Sequence, residues 1–92
     1  MCIRDSVNTS RGSLVDASAL ADALSDGTIG AAGLDVYPDE PDVPAELVDA
    51  PNAVLLPHIG SATTTARDAM AVLVADNVLA ALAGSEPPNR VA

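Results

Sequence analysis

The chain has 92 residues, 49% of them apolar, and a formal net charge of −9 from thirteen acids against four arginines and no lysine. That balance argues against nucleic acid or an anionic membrane surface as a partner, because both need clustered cations. A single cysteine, Cys2, cannot close an internal disulfide, so no stapled, secreted fold is indicated.

The apolar fraction is mostly Ala, Val and Leu, with no Phe or Trp and one Tyr, which leaves few large anchors for a core. A chain of this length has a modest core at best and reads as part of a larger body. Residues 1–6, MCIRDS, lack the apolar region of a signal peptide. The longest apolar run, Ala69 to Ala83, is interrupted by Asp76 and Asn77 and falls short of the roughly 20 residues of a membrane span. A cytoplasmic protein is expected.

In chain order, MCIRDS carries neither a strand pattern nor a cap. It is read as a non-native leader, with the native protein extending further upstream of Val7. Residues 7–9 read as the end of a buried strand, followed by the turn Ser10-Arg11-Gly12-Ser13. Asp16 stands as N-cap to a helix over 16–26, with Leu20 and Leu24 on one face and Gly27 as its stop. Residues 29–36, IGAAGLDV, form a second buried strand. Its glycines are not a GxGxxG fingerprint, which belongs in a turn opening a helix, and are expected to permit close helix–strand packing. Residues 38–51 are a proline- and acid-rich loop with one helical turn at 45–48. A third strand spans 52–56.

A long helix over 63–83 follows, with Met70, Val74, Val78 and Leu82 spaced by four and Val72 and Leu79 off that stripe. Ser61 and Thr63 are its candidate caps. A helix apolar over most of its circumference is buried on several sides, and so short a chain cannot supply that burial. The tail Ser85 to Ala92 leaves as an extended segment. Strand–helix–strand–loop–strand–helix implies an α/β fold with a parallel sheet and right-handed crossovers.

Parallel strands bring all their carboxyl ends to one edge, where open α/β sheets hold ligands. Just past those ends lie Arg11, then Asp35 and Glu40, then His58, the only histidine. Arginine offers a charged fork for a carboxylate, and histidine can give or take a proton near neutrality. A carboxylate bonded to that histidine fixes its tautomer. Such a set would bind a carboxylate-bearing substrate and move a proton at an adjacent oxygen. An acid ending an apolar strand, as Asp35 does, is costly unless paired or functional. No metal site is indicated.

The blocks NTSRGSLVD, GLDVYPDEP and PNAVLLPHIGSAT, in that order, resemble the C-terminal half of the nucleotide-binding domain of the D-isomer-specific 2-hydroxyacid dehydrogenases. HIGSAT after GLDVYPDEP looks most like the glyoxylate and hydroxypyruvate reductases. The resemblance runs from Val7 to about Pro88. It implies a Rossmann-type doubly wound sheet, NAD or NADP as cofactor, a small 2-oxo or 2-hydroxy acid as substrate, and a homodimer. It further implies Arg11 as the holder of the substrate carboxylate, His58 as the proton donor and Glu40 as the acid paired to it. Asp35 matches the acid near the nicotinamide carboxamide. Thr9, Ser10, Arg11, His58, Gly60 and Ser61 match cofactor-contacting positions. The family's phosphate fingerprint would lie upstream of Val7, so the isolated chain is expected to be inactive. Two other readings stay open: a non-catalytic corepressor on the same fold, against which the HIGSAT continuation speaks, and an acidic interaction module that uses the long helix as a sticky face.

Overall fold

The computed structural model describes residues 4–91, and its strands are β1 (Asp5–Asn8), β2 (Ala31–Leu34) and β3 (Ala53–Leu55). They form one parallel sheet in the order β1-β2-β3, with Asn8 beside Leu34 and Leu34 beside Leu55. Parallel neighbours need long crossovers. The first runs through a 3-10 turn at Gly12–Leu14 and helix α1 (Ala17–Ser25), the second through the proline-rich loop and the short helix α2 (Ala45–Val48). The chain divides into two compact units, residues 1–60 with this sheet and residues 61–92 with helix α3 (Thr64–Leu82) and the tail.

In the first unit, Leu20, Ala21 and Leu24 of α1 cluster with Ala32 and Leu34 of β2, with Tyr37, and with Leu47 of α2, which is 1% exposed. The strand period of two sends Ala32 and Leu34 into this cluster, whereas Val7 and Val54 stay exposed on their strands. Helix α1 begins where Asp16 accepts the Ala19 N–H at 3.0 Å. After it the chain passes Gly27 at a φ of 79°.

Two expectations are corrected here. Strand β1 includes Asp5 and Ser6, which the sequence reading left outside any element, because their backbone pairs with Ala31 and Ala32 regardless of side-chain pattern. Gly30 and Gly33 are not needed for helix packing: a Cβ on Gly33 would meet only the Val7 side chain, at 3.9 Å, and one on Gly30 would approach Asp5 and Arg4 at ordinary distances. The glycine that close approach does require is Gly12.

In the second unit, Thr63 caps α3 by accepting the Ala66 N–H at 3.1 Å; of the two candidate caps, Ser61 is not used. The helix ends at Gly84, φ 76°, with Ser85 N–H bonding the Ala80 carbonyl and Gly84 N–H the Ala81 carbonyl, a Schellman closure. The tail, expected to leave as an extended segment, instead turns back to α3, where Asn77 exchanges hydrogen bonds with Asn89 of 2.9 and 3.0 Å. None of the α3 side chains is buried, so the cover that its apolar circumference calls for is not made within this unit. No helix among the described residues is long and apolar enough to cross a membrane.

Candidate active site

The three strands of the first unit deliver three loops to one edge, and each loop is fastened by a side chain near its start. After β1, the buried Asn8 donates from Nδ2 to the Arg11 carbonyl at 2.9 Å and accepts the Ser10 N–H on Oδ1 at 3.1 Å. This Asx-type turn leads the chain into Gly12, which lies under the Tyr37–Pro38 peptide. A Cβ there would run into the carbonyl carbon and oxygen of Tyr37, so only glycine fits.

After β2, Tyr37 is buried, and its hydroxyl donates to the Leu56 carbonyl at 2.7 Å and, more weakly, to the Leu34 carbonyl at 3.3 Å. Burial, helped by the charge of Asp35, pushes its phenol above the ordinary value, so the hydroxyl remains a donor. The Tyr37 N–H donates in turn to Glu40 Oε1 at 3.1 Å. The other carboxylate oxygen, Oε2, meets His58 Nδ1 at 2.5 Å. The hydrogen bond from His58, then that from the Tyr37 amide, holds the Glu40 carboxyl below its usual value, so it is ionised at neutral pH.

After β3, His58 stands at a φ of 56°, in the left-handed region that few non-glycine residues adopt. The next two amides point at Asp35: Ile59 N–H donates to Oδ1 at 2.8 Å and Gly60 N–H to Oδ2 at 2.7 Å. Asp35 is 3% exposed.

Arg11, Glu40 and His58 are thus brought together. They line an open hollow of about 480 Å³ with Gly12, Ser13, Tyr37, Pro38 and Asp39. A second hollow, about 370 Å³, shares Tyr37, Glu40 and His58 and is otherwise walled by Pro41, Val43 and Pro57. One guanidinium nitrogen of Arg11 donates to the Ser10 carbonyl at 2.7 Å. Thr9 and Ser10 are exposed on the first loop but are not among the residues lining either hollow. Asp35 lies beneath the turn rather than in the open, and Ser61 opens the second unit. Sequence reasoning missed Asn8 and Tyr37; the available signals were an amide side chain at a strand end before a turn and an aromatic hydroxyl between two loops.

The donors at that edge are of the kind a nicotinamide end calls for: exposed hydroxyls at Thr9 and Ser10 past β1, and His58 past β3, with β2 between them. Neither α1 nor β2 offers a pyrophosphate cradle. The N-terminus of α1 is capped by the Asp16 carboxylate, a charge that repels phosphate, and Gly33 lies within β2 rather than in a turn opening a helix.

Relatives bear on this arrangement. The glyoxylate reductase of Thermococcus litoralis is 54% identical over 85 residues, covering 92% of this chain and 26% of that protein. Glyoxylate/hydroxypyruvate reductase B of Pectobacterium atrosepticum is 52% identical over 86 residues, covering 92% of this chain and 27% of that protein. The crystal structure of an NADPH-dependent glyoxylate/hydroxypyruvate reductase from Sinorhizobium meliloti, in complex with NADP and malonate, matches with a TM-score of 0.86 at 48% identity. It covers 96% of this chain and 28% of that one. The chain therefore spans about a quarter of the length of the relatives it matches. Its parallel sheet with crossover helices and a long C-terminal helix is part of a Rossmann-type dehydrogenase fold. The model of the D-isomer specific 2-hydroxyacid dehydrogenase NAD binding domain matches residues 6–60, and the chain belongs to that family.

Proposed function

We propose that this chain is the C-terminal part of the cofactor-binding domain of an NAD(P)-dependent D-2-hydroxyacid dehydrogenase that reduces a small 2-oxo acid of the glyoxylate or hydroxypyruvate kind. The observation that carries the reading is the 2.5 Å approach of Glu40 Oε2 to His58 Nδ1 in a hollow that Arg11 also lines. Arg11 presents a permanently charged planar fork to the substrate carboxylate. His58, with Nδ1 committed to Glu40, keeps Nε2 for the oxygen of the 2-oxo group, giving a proton in reduction and taking one in oxidation. Glu40, ionised, fixes that tautomer and balances the imidazolium. A nicotinamide cofactor, when bound, supplies the hydride. Thr9, Ser10, Arg11, Asp35, His58, Gly60 and Ser61 are assigned to its nicotinamide end. For the full-length protein we propose a homodimer, supported by the exposed Met70, Val74, Val78 and Leu82 of α3.

With neither α1 nor β2 offering a pyrophosphate cradle, the chain alone is expected not to turn over substrate. The test replaces the matching 85 residues of the Thermococcus litoralis glyoxylate reductase with those of this chain and follows NAD(P)H oxidation by glyoxylate. The hybrid should reduce glyoxylate, and H58A should lower its kcat by about 10²–10⁴, the range of a lost general acid. A folded hybrid without turnover, or an H58A hybrid as fast as its parent, refutes the reading.

A further inference from the structure

We propose that Asp35 is a positioning residue for His58: by accepting the backbone N–H groups of both Ile59 and Gly60, its buried carboxylate holds the turn in which the imidazole meets Glu40. The proposal rests on the reading of His58 as the proton donor.

Three observations support it. Asp35 is 3% exposed, yet among the described residues the ion pairs are His58 with Glu40 and Arg90 with Glu86, neither of which reaches it. A buried carboxylate without a cation is tolerated only where oriented dipoles replace water. The two amides do so, at 2.8 and 2.7 Å, within the range of charge-assisted bonds, and one falls on each oxygen. Next, the residue these bonds hold from behind is His58, at a φ of 56°. A β-carbon-bearing residue stays in that region when its surroundings impose it, and two consecutive amides tethered to one carboxylate are such an imposition. Finally, a Cβ at Gly60 would stand 3.1 Å from Asp35 Oδ2. The glycine leaves the carboxylate room to come up against the turn.

The sequence reading assigns Asp35 to the cofactor. The geometry adds a second role: each oxygen already accepts one amide N–H, with a lone pair to spare, and the carboxylate acts through the His58 backbone. If the turn is released, His58 can relax towards ordinary φ, and its ring leaves Glu40.

The experiment uses the 92-residue chain and its single histidine, whose ring signals need no assignment. Amide exchange is measured at Ile59 and Gly60, and the hydrogen-bonded Nδ1 proton of His58 is followed by NMR, in the parent, D35N and D35A. In the parent, both amides should exchange at least about tenfold more slowly than in an unfolded chain, as one charge-assisted bond sustains, and the His58 proton should lie far downfield. D35A should abolish both signatures while the amides of α1 and β2 stay protected. D35N, with one acceptor oxygen left, should fall between. A parent chain whose Ile59 and Gly60 amides exchange freely overturns the proposal, and so does a D35A chain that keeps the downfield His58 proton. If D35A does not fold, D35N decides: an unaltered His58 proton in that chain overturns it. A hybrid reductase without turnover would sink the functional reading but leave these readouts untouched.

Discussion

Gly12→Ala tests the packing on which the site is built. The added methyl would meet the carbonyl carbon and oxygen of Tyr37 and the nitrogen of Pro38. All three atoms are backbone, so no side-chain rotation can make room. Overpacking a core costs about 1–3 kcal/mol. Against a peptide fixed by the proline ring and by the Tyr37 hydrogen bonds, the upper end applies, about 3 kcal/mol, or roughly a hundredfold in the folding constant. For a domain of this size that corresponds to a fall in Tm of about 12–24 °C.

Two other glycines calibrate the scale. Gly27 has a φ of 79° and nothing within 4 Å of its added Cβ, so Gly27→Ala should cost only the left-handed penalty of about 1–2 kcal/mol. Gly30→Ala would place its methyl 3.4 Å from Asp5 Oδ1, an ordinary contact, and should be neutral or slightly stabilising. Urea titrations followed by circular dichroism give the order directly, provided the m-values agree. A Gly12→Ala chain within about 0.5 kcal/mol of its parent, the scatter of neutral surface changes, would refute the reasoning; so would one less harmed than Gly27→Ala. The same variant should also disturb the His58 proton signal, because the displaced peptide belongs to Tyr37, whose amide holds Glu40.

Two further outcomes follow from the loop fastenings. Tyr37→Phe removes the hydroxyl that donates to the Leu56 carbonyl and should cost about 1 kcal/mol, measured as a shift of the urea midpoint; an unchanged midpoint would mean that the bond is replaced by water without loss. Glu40→Gln should remove part of the acid sensitivity of the fold. The Glu40 carboxyl is held low in the folded state, chiefly by the His58 hydrogen bond. Its stabilising effect is therefore present above the unfolded carboxyl's pKa and is lost as pH falls through the lowered folded value. Urea midpoints at a series of acidic pH values should fall less steeply in E40Q than in the parent, and parallel curves would refute the assignment.

The elements were legible because each carries its own punctuation. Asp16 and Thr63 mark the helix starts and Gly27 the stop of α1, whose Leu20 and Leu24 keep the helical spacing; α3, apolar nearly all round, shows by its length rather than by a stripe. Strand β1 was harder to read because Asp5 and Ser6 join it through backbone pairing with β2, which leaves no trace in their side chains. The role of Gly12 was likewise hidden, since what it must avoid is a peptide some twenty-five residues further on.

That Arg11, Glu40 and His58 share one edge was legible for a different reason: topology alone sends the ends of parallel strands there, so residue type and strand order suffice to bring the three together. What holds them there was not legible. Asn8 binding back onto its own loop, Tyr37 reaching the Leu56 carbonyl and Asp35 reaching the amides of Ile59 and Gly60 are contacts between a side chain and a backbone group. A backbone group is the same in every residue, so a sequence names only one partner of each such bond. Strand order gathers these side chains, and the bonds that fix their geometry are ones for which the chain has no letter.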